Sequence, residues 1–296
     1  MAAVAGQQRA DLSEPAGWRR TKNRIVTIFM VAAFVVAIIP LGFVLWTVIS
    51  KGAGVISWGF LTGDIPPNVL PANVGGMGPA IVGTIEITAL ATVMAVPLGV
   101  LGAIYLNEYG GGGWLARFIG FMADVMTGVP SIIMGLFIFA IWVLTFGFSG
   151  LAGAFALGCL MLPIVIRSTQ EMLRLVPDAL REGSYALGAS KSRVTLTVVL
   201  PAAIGGIVSG VLLAVARAAG ETAPLLFTIL TVTTVNRNVF SGPNTSLPSQ
   251  IFVNASSPYP GAQARGWGAA LTLIAIAFIL MIVARFVTAR FARYQR

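Results

Sequence analysis

The sequence predicts an all-α membrane protein with about six transmembrane helices. Three observations carry that reading. Of the 296 residues, 57 % are apolar and only 10 % charged, where a soluble domain carries about 25 % charge. Mean hydropathy is +0.89, the opposite of the low hydrophobicity and high charge that keep a chain disordered. The apolar residues are gathered into runs, and crossing a bilayer takes about 20 of them in a helix.

Taken in order, residues 1–24 are a polar tail with Arg9, Arg19, Arg20, Lys22 and Arg24. The apolar run 25–49 is the first span. It is 25 residues long, against about 7–15 for the core of a signal peptide, so it reads as a retained helix. Pro40 is a kink point within it. Residues 50–79, rich in Gly, Pro and Asn, read as a loop. Five further spans fall within 80–287: about 80–106, 117–146 with an interruption at Gly128 and Pro130, 150–167, 196 to beyond Ala216, and 267–287. The glycine run 110–113 is a loop between spans. Residues 168–195 form the longest charged stretch between the tails, 236–266 are a polar loop, and 288–296 are a basic tail.

Charge fixes the expected orientation. With six spans, fifteen of the nineteen basic residues fall on one side, against Lys51, Arg237 and Arg265 on the other; Arg217 lies within a span. The positive-inside bias then puts both termini in the cytoplasm. It also accounts for the net charge of +9 without nucleic-acid binding. Two N-x-[ST] sequons, at Asn244 and Asn254, fall in the outer loop but are too common by chance to indicate glycosylation.

Absent residues exclude whole classes of chemistry. The chain has no histidine, which removes Ser-His-Asp and Cys-His catalysis and histidine proton relays. Its single cysteine, Cys159, lies in an apolar run and reads as a small buried hydrophobe. No phosphate-binding G-x-x-x-x-G-K-[ST] loop is present, so ATP binding by this chain is not expected. The spans offer no nucleophile–base pair for an intramembrane enzyme.

The most informative cytoplasmic segment is 177–201. Pro177 suits a helix start, Asp178 and Glu182 suit its positive N-terminal end, and Gly188 suits its stop. A helix is expected over 178–187. Small residues at 183, 184, 186 and 189 leave it thin enough to lie in a partner's groove, although an ordinary amphipathic loop would satisfy the same rules. The order Glu182-Gly183-Ser184, three residues, Gly188, nine residues, Val198, one residue, Leu200-Pro201 closely resembles the EAA loop of ABC importer permeases. It departs only by small-for-small or aliphatic exchanges. The resemblance implies a type I ABC importer permease fold, with 80–287 as permease core. The loop would be a coupling helix docking in a cytoplasmic ATPase through Arg181, Glu182, Gly183, Ser184 and Gly188.

A narrower resemblance covers most of 80–230. Leu213-Ala-Val-Ala-Arg217-Ala-Ala-Gly-Glu221-Thr-Ala-Pro224-Leu-Leu-Phe227 is similar to the PstA-type permeases of phosphate importers. So are Tyr105-Leu-Asn-Glu108-Tyr109, Thr127-Gly-Val-Pro130-Ser131 and Pro163-Ile-Val-Ile-Arg167. It implies a multi-pass subunit of a bacterial inner membrane that is not itself an enzyme and binds no cofactor. A second permease subunit, two copies of an ATPase that uses ATP and Mg, and an extracytoplasmic phosphate-binding protein would be its partners. Membrane lipid, and no nucleic acid, completes the set.

Arg217 and Glu221 are four residues apart, expected on one helical face inside a span. Charges there cost about 2.5–3.5 kcal/mol each on insertion scales and mark function by default. Arg before Glu is the less favourable order for helix support. A lock between helices is the plain alternative. As an anion site, guanidinium would bind phosphate oxygens bidentately. Glu221 could hold Arg217 or accept the hydrogen of HPO₄²⁻. Arg167 reads either as an interfacial anchor or as an exit contact. Glu86 and Asp124 are given structural roles. Gly128, Pro130, Gly220 and Pro224 are candidate hinges, since broken membrane helices mark sites. The rival readings are a sulfate or molybdate permease, which would share the EAA loop, and an ion-coupled transporter, which would need no docking loop.

Overall fold

The computed structural model describes residues 17–67 and 74–293, all helical or irregular with no strand among them. Most of the expected tail 1–24, and residues 294–296, lie outside that range. The helix α1, Gly17–Gly52, is unbroken, with Pro40 inside it. Residues up to Thr47 form a unit by themselves. Its most apolar 18-residue window has none of its residues buried, as suits a helix whose solvent is lipid.

The second unit begins at Val48. It contains α2 (Trp58–Thr62), α3 (Gly78–Ile104) with a π-helical extension Tyr105–Tyr109, and α4 (Trp114–Gly128). Next come α5 (Ser131–Ile138), a π turn Phe139–Val143, the single turn α6 (Leu144–Phe146), α7 (Gly150–Arg174), α8 (Asp178–Ala186) and α9 (Lys191–Val194). A π turn Thr195–Val199 leads into α10 (Leu200–Ala219), followed by α11 (Ala223–Thr228), α12 (Leu247–Ala255) and α13 (Pro260–Arg293).

The core is the seam between α3 and α7. Along α3, Gly83, Ile87, Ala91, Ala95, Gly99 and Ala103 recur every fourth residue and are buried. Such a stripe lets two helix backbones approach closely, which is how membrane helices gain packing when lipid is as apolar as their side chains. Ile87, Ala91 and Ala95 meet Ala154, Leu157 and Met161 of α7, with Val215, Ala218, Leu225 and Ile229 closing the cluster.

Neighbours along this seam give the direction of each helix. Gly83 lies against Asn244 and Thr245, and Gly99 against Val165 and Ile166, so α3 and α7 run parallel from an α12 end to an α8 end. Gly206 meets Met172 and Gly210 meets Ser168, so α10 runs back. The segment α4–α6 must therefore return from the α8 end as well. It does so with a bend of 107° at Val129–Pro130: Asp124 reaches Arg167, while Ile138 and Val143 pack on Ala152 and Ala156. Among the described residues five helices are long and apolar enough to cross a membrane, and the bent pair, counted as one span, makes a sixth.

Several boundaries move. The fourth span runs to Arg174 rather than 167 and the last starts at Pro260 rather than 267. The segments read as loops, 50–79 and 236–266, contain the helices α2 and α12. α12 is fixed by a capping box between Ser246 and Ser249, and polar residues of the expected loop are buried there. Asn244 and Asn254 are 2 % and 3 % exposed, so neither sequon offers its amide to a glycan.

Candidate functional site

Two helices break at the same place. α4 ends at Gly128, Val129 is extended at φ −75°, ψ 127°, and Pro130 is extended at the start of α5. A proline lacks the N–H that would continue the helix. On the other side α10 ends at Ala219, Gly220 caps it, and α11 restarts at Ala223 with Pro224 in its first turn. The two restarts pack on each other: a Cβ at Gly135 would lie 2.6 Å from the Pro224 Cα, so only glycine lets α5 and α11 touch.

Beside these breaks lies a cavity of about 240 Å³, lined by Met126, Thr127, Val129, Pro130, Ser131, Leu160, Pro163, Ile164, Arg217 and Glu221. Three of the segments that carry the narrower resemblance, Thr127–Ser131, Pro163–Arg167 and Leu213–Phe227, meet in it. The Arg217 Nε lies 3.7 Å from Glu221 Oε1, an ion pair without a hydrogen bond, and the Arg217 side chain is 70 % exposed. No described residue accepts a hydrogen bond from its guanidinium. The pair does not share a continuous helical face: Glu221 follows the end of α10, in the turn where its N–H bonds the Ala218 carbonyl. Glycine 220 and the following turn set the pair's spacing, where the sequence pattern suggested plain i,i+4 geometry.

Arg167 is on the α7 face that carries Leu160, Pro163 and Ile164, one turn nearer the α8 end. It is seven residues inside the helix rather than at its end. Its guanidinium donates to Gln170 Oε1 and to the Gly120 carbonyl, each at 2.9 Å, and is paired with Asp124. Asp124 in turn lies one helical turn before Thr127. The Arg167–Asp124 pair thus forms the next polar layer beyond the cavity. Glu86 lies elsewhere on α3 and its Oε2 is buried without a hydrogen-bond partner.

At the α8 end the expected helix is present at Asp178–Ala186 and buries none of its residues. Gly188, at φ +82°, ends it. Its N–H bonds the Tyr185 carbonyl at 2.9 Å and the Ala189 N–H bonds the Ser184 carbonyl at 3.2 Å, the paired bonds of a Schellman stop. Glu182 and Gly183 face outward, and a Cβ at Gly183 would meet open space. Leu187 is 90 % exposed, with Leu175, Leu180 and Tyr185 exposed beside it.

Arg181 behaves differently from the outward contact that the resemblance implies. It turns inward, donating to the carbonyls of Val176 and Leu173 and to Asp178, and its Nη2 is 3.1 Å from Glu108 Oε1. Arg181 and Glu108 side chains are only 13 % and 5 % exposed. Asn107 donates to the same carboxylate oxygen at 2.7 Å. Glu108 sits on the π turn that prolongs α3, so this buried pair fastens the exposed helix to the core seam. Sequence reading quoted Glu108 only as part of a motif. An acid ending an apolar span opposite a basic loop was the available signal.

A family model described as "Binding-protein-dependent transport system inner membrane component" matches residues 95–293. The chain is 46 % identical over 279 residues to the phosphate transport system permease protein PstA 1 of Mycobacterium tuberculosis (strain ATCC 25618 / H37Rv), covering 92 % of this chain and 90 % of that one. To the PstA protein of Yersinia pestis it is 41 % identical over 274 residues, covering 92 % of each. Among solved structures, a bacterial alginate ABC transporter in complex with an alginate pentasaccharide-bound periplasmic protein aligns at TM-score 0.65 and 12 % identity, over 93 % of this chain and 98 % of that one. The inward-facing MetNI methionine ABC transporter aligns at TM-score 0.54 and 19 % identity, over 74 % and 94 %. The fold is that of a type I ABC importer permease.

Proposed function

The chain belongs to the binding-protein-dependent transport system inner membrane components and, among them, to the PstA phosphate transport permeases; on that premise we propose that it is the permease subunit of an ATP-driven phosphate importer and lines the route phosphate takes. The observation that carries this reading is the loosely held Arg217 guanidinium in a cavity flanked by two broken helices.

An anion leaving water for a membrane protein must find replacement for its hydration. Arg217 offers a charge that cannot be lost and a planar fork that matches two phosphate oxygens. The first turn of α5 adds the N–H groups of Ser131 and Ile132, at the positive end of a helix; that of Ile133 is already bonded to the Pro130 carbonyl. Glu221 is close enough to orient Arg217, and it can accept the hydrogen of HPO₄²⁻, which sulfate lacks. Beyond the cavity, the Arg167–Asp124 pair would be a second contact: an arriving anion would compete with Asp124 for Arg167. Gly128, Pro130, Gly220 and Pro224 are where the two half-helix pairs would pivot as access alternates from one side to the other.

The remaining parts follow from the α8 end. Glu182, Gly183, Ser184 and the apolar group around Leu187 would dock in a cytoplasmic ATPase, two copies of which would hydrolyse ATP for the complex. Arg181, held by Glu108, would carry movement of the docked helix into α3. The α12 end would face an extracytoplasmic phosphate-binding protein, both termini would lie in the cytoplasm, and a second permease subunit would complete the channel in a bacterial inner membrane.

The test is uptake of radiolabelled phosphate at low external phosphate by cells lacking the chain, with sulfate uptake as control. Loss of phosphate uptake alone, restored by the chain, supports the reading. Loss of sulfate uptake in its place would sink the phosphate assignment and keep the importer.

A further inference from the structure

Arg265 stands apart from the other basic residues. It was counted on the side opposite the termini, and in the structure it is 2 % exposed. Its Nε donates to Asn254 Oδ1 at 2.9 Å and its Nη1 to the Val74 carbonyl at 3.2 Å. A guanidinium carries five N–H donors, so those bonds leave most of its capacity unused. No carboxylate among the described residues pairs with it. Asp64, next in sequence to the lining residue Ile65, is exposed and forms no ion pair with Arg265, and the last acidic residue in the chain is Glu221. A full positive charge is therefore buried without a counter-charge of its own, an arrangement that is strongly destabilising unless something compensates it.

Arg265 lines a cavity of about 180 Å³ with Thr231, Thr233, Gln250, Asn254 and Ser257. At about 30 Å³ per water molecule this is room for roughly six waters, enough for a small tetrahedral ion with part of its hydration. The polar groups are hydroxyls and amides, which can donate to an oxyanion or accept from its hydroxyl, and none is negative. Of its lining residues Pro67 and Val253 are exposed, and Gln250, Val253 and Asn254 belong to α12, which places the cavity at the α12 end. It shares no lining residue with the cavity at Arg217.

We propose that this cavity is a second anion site, in which Arg265 receives one tetrahedral oxyanion at the α12 end before it passes to Arg217. That the oxyanion is phosphate rests on the function proposed above; the site itself rests on the buried charge. Asn254 orients the guanidinium, and Gln250 orients Asn254 by accepting from its Nδ2 at 3.0 Å.

The test is hydrogen exchange of the segment 247–266 in the purified complex of permease and ATPase subunits, without binding protein, in chloride buffer and after adding inorganic phosphate or sulfate. Exchange reports local opening, and Arg265→Gln, which leaves the ATPase unchanged, separates phosphate bound in this cavity from phosphate bound at the ATPase. Phosphate should slow it roughly tenfold in the wild type and in Arg217→Gln, and not in Arg265→Gln. Ser257→Asp is the companion variant. Its carboxylate can keep the bond that Ser257 Oγ accepts from the Tyr259 N–H at 3.3 Å, and it supplies the missing counter-charge. It should show slow exchange without any added anion and no further response. Protection by sulfate but not phosphate, lost in Arg265→Gln, would support the oxyanion site while sinking the phosphate reading. Equal protection in wild type and Arg265→Gln, or none in the wild type with either anion, would overturn the site.

Discussion

The central cavity and the α8 end each hold an arginine opposite a glutamate, and the two pairs are built in opposite ways. Arg217 faces Glu221 at 3.7 Å with 70 % of its side chain exposed. Arg181 meets Glu108 at 3.1 Å with 13 % exposed, and backbone carbonyls hold it further. The first has donors to spare and a partner too distant to claim them, which suits a ligand that must arrive and leave. The second has both terminal nitrogens bonded, each to two acceptors, which suits a fastening between elements that move together. Residue type alone does not separate these roles; the number of bonds already made does.

The contrast can be broken at the fastening first. Arg181→Ala leaves Glu108 buried and unpaired, a change worth about 3–5 kcal/mol. It should lower the thermal stability of the complex and reduce transport per ATP hydrolysed. Exchange of the two charges, Arg181→Glu with Glu108→Arg, should recover part of both. If Arg181→Ala retained full stability and full coupling, the pair would not be a fastening.

Arg217→Ala should act on the other side of the comparison. Removing one charged hydrogen-bonding contact, about 1.5–3 kcal/mol, predicts a loss of roughly 10- to 150-fold in phosphate uptake. Melting temperature should change little, because the side chain is mostly exposed. Arg217→Lys should fall between, since lysine keeps the charge and loses the fork. Uptake rates at several phosphate concentrations would separate these variants.

A smaller effect is expected at the stop of α8. Gly188 has φ +82°, and alanine there should cost about 1–2 kcal/mol. The helix end would reshape, and copurification of the ATPase subunit should weaken while the purified permease keeps its melting temperature. Unchanged copurification would remove Gly188 from the proposed docking surface.

Much of this was legible in the chain. The apolar runs gave the spans, and the Pro177–Gly188 punctuation gave the exposed helix within one residue, because capping and termination are local rules. Gly128 and Pro130 marked the break for the same reason. The convergence of Thr127–Ser131, Pro163 and Arg217 on one cavity depends on α4–α6 folding back across α7, which no local pattern encodes. Arg181 illustrates the same gap: its partner Glu108 is 73 residues away, and only the parallel run of α3 and α7 brings them together. The burial of Arg265 was not legible because its neighbours are polar. In a membrane protein, polar neighbours can enclose a residue as well as solvate it.

The most direct test of the account is to reconstitute the complete complex in vesicles and measure, for Arg217→Ala, both phosphate uptake and ATP hydrolysis stimulated by the loaded binding protein. The account predicts that hydrolysis persists while uptake collapses, because the fastening at Arg181 and the docking helix are untouched. Normal phosphate uptake by that variant would contradict it.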